Sequence, residues 1–139
     1  ATTSPGNIRE LKNTLERETI LEALKAHGVP DDAIDGAMVP GAFELPLCAQ
    51  RMAAASRYDA LVCLGAVVRG ETPHFDFVAG ECARGLQQVM LATGVPVAFG
   101  VLTTETAAQA QARAAPGEFN KGAEALQTAL AMARLLRGI

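Results

Sequence analysis

Residues Gly70-Glu71-Thr72-Pro73-His74 bring together a turn, the start of a helix and an imidazole. The first N–H groups of a helix have no partner within it, and the macrodipole there favours an anion. This turn, with the Thr72 hydroxyl, therefore suits a phosphate group. Every helix has such an end, so the turn by itself does not separate a phosphate site from a plain cap. His74 falls in the first turn of the same helix. Imidazole is the side chain suited to proton exchange near neutral pH, which makes this residue a candidate general acid or base; the alternative is a histidine that only hydrogen-bonds a neighbour.

Two other groups have suitable residue types. Glu44 follows Phe43 beside the Pro40-Gly41 turn and sets an acceptor next to an aromatic face. A planar, hydroxylated ligand fits that pair, and so does a carboxylate that merely caps a helix. Arg113 and Lys121 flank the Pro116-Gly117 break, each a phosphate ligand or a solvated charge. Phe99 lies in an apolar run and is by default core. Cys48, Cys63 and Cys82, widely separated among apolar or small neighbours, read as buried free thiols in a reducing compartment. No Cys/His spacing suits a metal, and no Gly-x-Ser-x-Gly or P-loop pattern occurs, so neither a metal nor a nucleotide cofactor is expected.

These residues are far apart in sequence and need a scaffold that gathers loops at one end. Ala60 to Val68 is apolar without alternation, as in a central strand covered on both faces. Val95 to Leu102 reads as a second strand and Ala33 to Val39 as a short one broken by Pro40-Gly41. Helices are expected over Ile8 to His27, stopped by Gly28 and Pro30, and over Leu45 to Ser56. Another runs from a Thr72 cap, with Pro73 at its first position, to Thr93, where Gly94 and Pro96 end it. A helix capped by Thr103 or Thr104 runs to Ala114, and a last one from Gly122 to Leu136. Strands alternating with helices imply an α/β fold, a three-layer α/β/α sandwich around a flavodoxin-like parallel sheet. In such sheets ligands bind beyond the carboxyl ends of the strands, which is where the candidate residues fall. Residues 1–7 read as a flexible tail and 8–139 as a single domain. No strand pattern precedes the first helix, so the N-terminal strand of such a sheet is missing from the pattern. Three strands alone leave poorly protected edges.

The chain has 139 residues, 50% of them hydrophobic and 19% charged, enough to bury a core and too apolar for disorder. Twelve Lys and Arg against fifteen Asp and Glu give a net charge of −3 with no basic block, so neither nucleic acid nor an anionic membrane is the expected partner. The longest apolar stretch is about half a membrane span. No basic segment followed by an apolar run opens the sequence, and a cytoplasmic location is expected.

Four segments together resemble one known family. Pro40-Gly41-Ala42-Phe43-Glu44-Leu45-Pro46, Leu64-Gly65-Ala66-Val67-Val68-Arg69-Gly70-Glu71-Thr72-Pro73-His74-Phe75, Pro96-Val97-Ala98-Phe99-Gly100-Val101-Leu102-Thr103 and Asn120-Lys121-Gly122-Ala123-Glu124 are similar, in order, to the motifs of lumazine synthase. The resemblance implies a cofactor-free condensation of 5-amino-6-ribitylaminouracil with 3,4-dihydroxy-2-butanone 4-phosphate, giving 6,7-dimethyl-8-ribityllumazine in the penultimate step of riboflavin biosynthesis. It implies that Ala42, Phe43 and Glu44 hold the ribityl chain and pyrimidine edge, and that Ala66, Val67 and Val68 present backbone to the pyrimidine. By the same resemblance Gly70, Glu71 and Thr72 form the phosphate turn and His74 transfers protons. Phe99, Arg113 and Lys121 would complete the site from a neighbouring subunit, Arg113 on the phosphate and Lys121 near the ribityl chain, with Glu124 orienting His74. Family members assemble as pentamers, many as shells of twelve pentamers.

Two departures stand out. Asn7 to Thr14 lacks the family's initial strand and its aromatic residue, and Gly117 stands where some members carry another lysine. A catalytically weak relative that serves as an assembly scaffold or binds a flavin-like ligand is the alternative reading.

Overall fold

The apolar run that follows Asp59 lies at the centre of the structure. A computed structural model describes residues 25–26, 28–29, 31–115 and 120–139. In it the run forms β1 (Leu61–Val68), and Val97–Thr104 forms β2. The two are parallel and in register, from Leu61 opposite Val97 to Val68 opposite Thr104. Around them lie α1 (Leu45–Ala54), α2 (His74–Thr93), α3 (Ala107–Ala114) and α4 (Lys121–Arg137), with 3-10 turns at Asp31–Ala33 and Ala42–Glu44. Parallel neighbours require a crossover, and α2 supplies it.

On one face of the sheet Leu61, Cys63, Val97 and Val101 meet Ala49 and Ala53 of α1 and Cys82, Leu86 and Val89 of α2. On the other, Ala98 packs with Ala125 and Ala129 of α4, and Leu102 with Ala110 and Ala114 of α3. This is the expected α/β/α sandwich, and two covered faces explain why β1 does not alternate. The α2 stripe recurs at i, i+4 and i+7, the spacing of one buried helix face. The part of α4 that meets Ala98 is built of small residues, and the sheet comes close to it: a Cβ on Gly100 would stand 3.3 Å from Ala125 Cβ. The same Cβ would stand 2.8 Å from Leu64 Cδ2 and 2.9 Å from the Cys63 carbonyl oxygen. Gly94, at φ +74°, ends α2 in the left-handed conformation that glycine adopts without strain, its N–H donating to Met90 O at 2.9 Å.

The structure corrects several expectations. No strand forms over Ala33 to Val39, where a 3-10 turn is followed by irregular backbone. A strand exists through its ladder partner, and among the described residues β1 and β2 pair only with each other, so the sheet has two described strands where three were expected. Side chains hold the segment instead. Ile34 packs against the Leu126 cluster, and Asp35 accepts from Tyr58 Oη at 2.7 Å and pairs with Arg57 at 3.3 Å.

β2 starts two residues later than expected because Pro96 has no N–H; its carbonyl accepts from Leu61 N at 2.8 Å, and the ladder proper begins at Val97. The strand then continues through Thr103 and Thr104, leaving the cap of α3 to Thr106. Gln109 N donates to Thr106 Oγ1 at 3.2 Å and Thr106 N to Gln109 Oε1 at 3.3 Å, a reciprocal capping box. α2 likewise begins at His74 with Pro73 in the cap position, and Thr72 Oγ1 reaches only the His74 N–H, at 3.5 Å.

The expected tail, the missing N-terminal strand and most of the Ile8–His27 helix lie outside the described residues, as does the Pro116-Gly117 break. Lys25 and Ala26 are helical, and Gly28 follows at φ +81°. No helix among the described residues is long and apolar enough to cross a membrane.

Candidate active site

Among the described residues, two concavities that share no lining residue lie beside the carboxyl ends of the strands. The larger, about 720 Å³, lies between the Ala42–Glu44 turn, the end of β1 and the start of α2. Close packing makes it. A Cβ on Gly85 would stand 2.7 Å from Pro46 Cγ, so α2 rests directly on the first turn of α1. That contact carries His74 to the same hollow as Phe43 and Glu44. Ala66, Val67 and Val68 form its floor at the end of β1, with Gly70 and Thr72 on its rim. Glu71 lies between those two, exposed and outside the lining. Glu44 occupies the cap position of α1 without a side-chain capping bond, which removes the plain-cap reading. The His74 ring is exposed and has no hydrogen-bond partner among the described residues. Sequence reasoning missed Phe77, which also lines this hollow and is 66% exposed; its signal is a second aromatic in the first turn of an otherwise ordinary amphipathic helix.

The smaller concavity, about 380 Å³, runs along β2 from Phe99 to Thr104 and is closed by Arg113, Lys121 and Glu124. Phe99, by default core, is in fact 44% exposed between buried Ala98 and Gly100. Its ring stands at the rim of a sheet whose β2 has a single ladder partner among the described residues. Arg113 meets no carboxylate among the described residues; its one bond runs from Nη1 to Gln109 O at 3.4 Å. Lys121 Nζ pairs with Glu124 Oε2 at 3.1 Å. Two cations against one carboxylate leave this hollow positive and suited to an anion. Within one chain Glu124 thus stands beside Lys121, in a different concavity from His74.

Asn120 organises this second hollow and was not singled out from sequence as a site residue. It is 2% exposed. Its Oδ1 accepts from Ala123 N at 2.7 Å, and its Nδ2 donates to Ala114 O at 2.8 Å and Ala115 O at 3.0 Å. One amide thereby satisfies the last carbonyls of α3 and a first amide of α4, fixing Arg113 and Lys121 on either side of it. An Asn before an apolar-periodic run signals a cap, but the reach back to α3 has no signature in the sequence.

The thiols are free. Burial pushes Cys63 up to about 12 and also raises Cys82, so both stay protonated beneath the His74 side and are poor nucleophiles. Cys48 is half-buried. No group of three or more His, Cys, Asp or Glu among the described residues is arranged to hold a metal ion.

A family model for 6,7-dimethyl-8-ribityllumazine synthase matches residues 11–137 of this chain, a span that contains both concavities. The chain belongs to that family. The lumazine synthases are riboflavin-biosynthesis enzymes that act on small molecules and typically assemble as oligomers. The α/β sandwich described above is consistent with their fold.

Proposed function

We propose that the protein condenses 5-amino-6-ribitylaminouracil with 3,4-dihydroxy-2-butanone 4-phosphate to 6,7-dimethyl-8-ribityllumazine, at a site formed where the two concavities of adjacent copies meet. One observation carries this reading. Of the residues assigned by family resemblance, those expected from one subunit, Glu71 excepted, line the larger hollow, and Phe99, Arg113, Lys121 and Glu124 all line the smaller. No assigned residue lines both. Such a division suits a site shared between neighbours, in a cytoplasmic assembly that is a pentamer or a multiple of one.

The chemistry fits the parts. The amine of the pyrimidine attacks the ketone and water leaves; phosphate is expelled, and ring closure through the ribitylamino nitrogen releases further water. Each step moves protons more than it needs a strong base, and His74 is the group to carry them. Glu44 accepts from ribityl hydroxyls, Phe43 and the backbone of Ala66 to Val68 hold the flat ring, and Arg113 with the Gly70–Thr72 turn clamps the phosphate as its charge grows. Holding two substrates together supplies much of the rate.

The test is to mix purified protein with both substrates and follow lumazine fluorescence above the uncatalysed background. Turnover that disappears at dilutions that separate the subunits is expected. Background rate from a folded, assembled protein would overturn the proposal in favour of a scaffold or ligand binder.

A further inference from the structure

Arg69 is the most heavily engaged side chain at the carboxyl end of the sheet, although it lines neither concavity. Its backbone N–H donates to Thr104 O at 2.9 Å, one step beyond the ladder, so it is held at the junction of the two strand ends. From there Nε contacts Glu105 Oε2 at 2.7 Å, in the short link between β2 and α3. Nη2 contacts Asp76 Oδ1 at 3.3 Å, and the guanidinium lies 4.5 Å from the centre of the Phe75 ring. Phe75 and Asp76 are the two residues after His74.

The cap of α2 is weak. Pro73 occupies the cap position with no side-chain capping bond, and Thr72 offers only a 3.5 Å contact to His74 N. A first turn capped so loosely would fray and carry His74 with it. Arg69 supplies what the cap lacks: a planar fork that grips one carboxylate on the turn and a second on the opposite link, with the aromatic ring beneath.

We infer that Arg69 is a positioning residue for His74, anchoring the first turn of α2 to the loop after β2 so that the imidazole and the Phe75 wall keep their places in the larger concavity. The inference rests on the proposed reaction for its kinetic consequence and on the contacts alone for its structural one. Each ion pair is solvent-exposed and individually weak; the geometric constraint comes from three contacts converging on one guanidinium. Lysine reaches one carboxylate at a time and lacks the planar face, so it replaces the arginine only in part.

The experiment compares wild type with Arg69→Met, which removes the charge and keeps an unbranched side chain, and with Arg69→Lys. Two quantities are measured: the pH profile of kcat, and the rate at which diethyl pyrocarbonate modifies His74 relative to His27, resolved by mass spectrometry. Arg69→Met is expected to lower kcat about threefold, less than loss of the imidazole itself, and to displace the profile along the pH axis, with Arg69→Lys intermediate. A simple loss of folded protein would scale the profile without moving it. His74 is expected to be modified faster in Arg69→Met. A profile that superimposes on wild type after scaling, or an unchanged His74 rate, overturns the inference. Wild type without turnover would overturn the proposed function instead, and the Arg69 assignment is then decided by the modification rate alone.

Discussion

On the His74 side the functional groups stand on backbone with few polar ties of their own, whereas on the Arg113 side a buried amide locks two helices end to end. Thr72 makes one contact at 3.5 Å, and apart from the exposed Arg69 ion pairs at its first turn α2 is held by apolar packing, Gly85 on Pro46 and Cys82 in the core. Asn120 makes three hydrogen bonds of 3.0 Å or less at 2% exposure. Groups that follow one another along the end of β1 and the start of α2 inherit their spacing from the backbone. Two cations on separate helices inherit nothing, and a polar strut must set their distance. Buried polar groups that are fully satisfied specify geometry in a way that apolar contact does not.

That contrast can be broken most sharply at the strut. Asn120→Ala orphans the Ala114 and Ala115 carbonyls and the Ala123 amide, and should cost about 2–3 kcal/mol in urea unfolding, against about 0.5 kcal/mol or less for Thr72→Ala. Similar losses from the two would remove the distinction between the halves. Next, Arg113→Ala should raise the Michaelis constant for the butanone phosphate about thirtyfold while changing that for the pyrimidine little; equal changes would argue against a phosphate role. His74→Ala should lower kcat by only about tenfold, since the bound geometry carries much of the rate. A last effect is confined to alkaline solution. Burial raises the folded Cys63 thiol from its ordinary 9.0 to about 12, so the folded state keeps a proton that the unfolded chain releases. Stability present below pH 9 should therefore fall as pH rises from about 9 towards 12, and Cys63→Ala should flatten part of that slope in urea midpoints.

What sequence could reveal follows the range of the forces involved. The β1 run, the α2 stripe ending at Gly94 and the amphipathic α4 are local patterns and stand within a residue or two of their expected places. The start of β2 was misplaced because hydrophobicity begins at Val95 while hydrogen bonding waits for the first N–H after Pro96. Thr106 was passed over for Thr103 and Thr104, which resemble caps equally well until the length of the strand is known. Ala33 to Val39 has strand-like residues, but pairing is a tertiary fact and no pattern in one segment supplies a partner. Of the residues of the two hollows, the Gly70–Thr72 turn, His74, Phe43, Glu44, Arg113 and Lys121 are candidates by residue type alone, and family resemblance adds Ala42, Ala66 to Val68, Phe99 and Glu124. Their supports, Asn120 and Arg69, act through carbonyls and carboxylates that only the fold brings near.

Because the concavities have no lining residue in common, damage to one leaves the other chemically whole. In a ring that joins the larger hollow of each copy to the smaller hollow of the next, a His74→Ala chain and an Arg113→Ala chain are each defective at every site when assembled alone. Coassembled in equal amounts and at random, they would rebuild about one site in four from two sound halves and place both lesions together in another one in four. Two impaired proteins would then make a partly restored one, with an activity set by the statistics of neighbours around the ring.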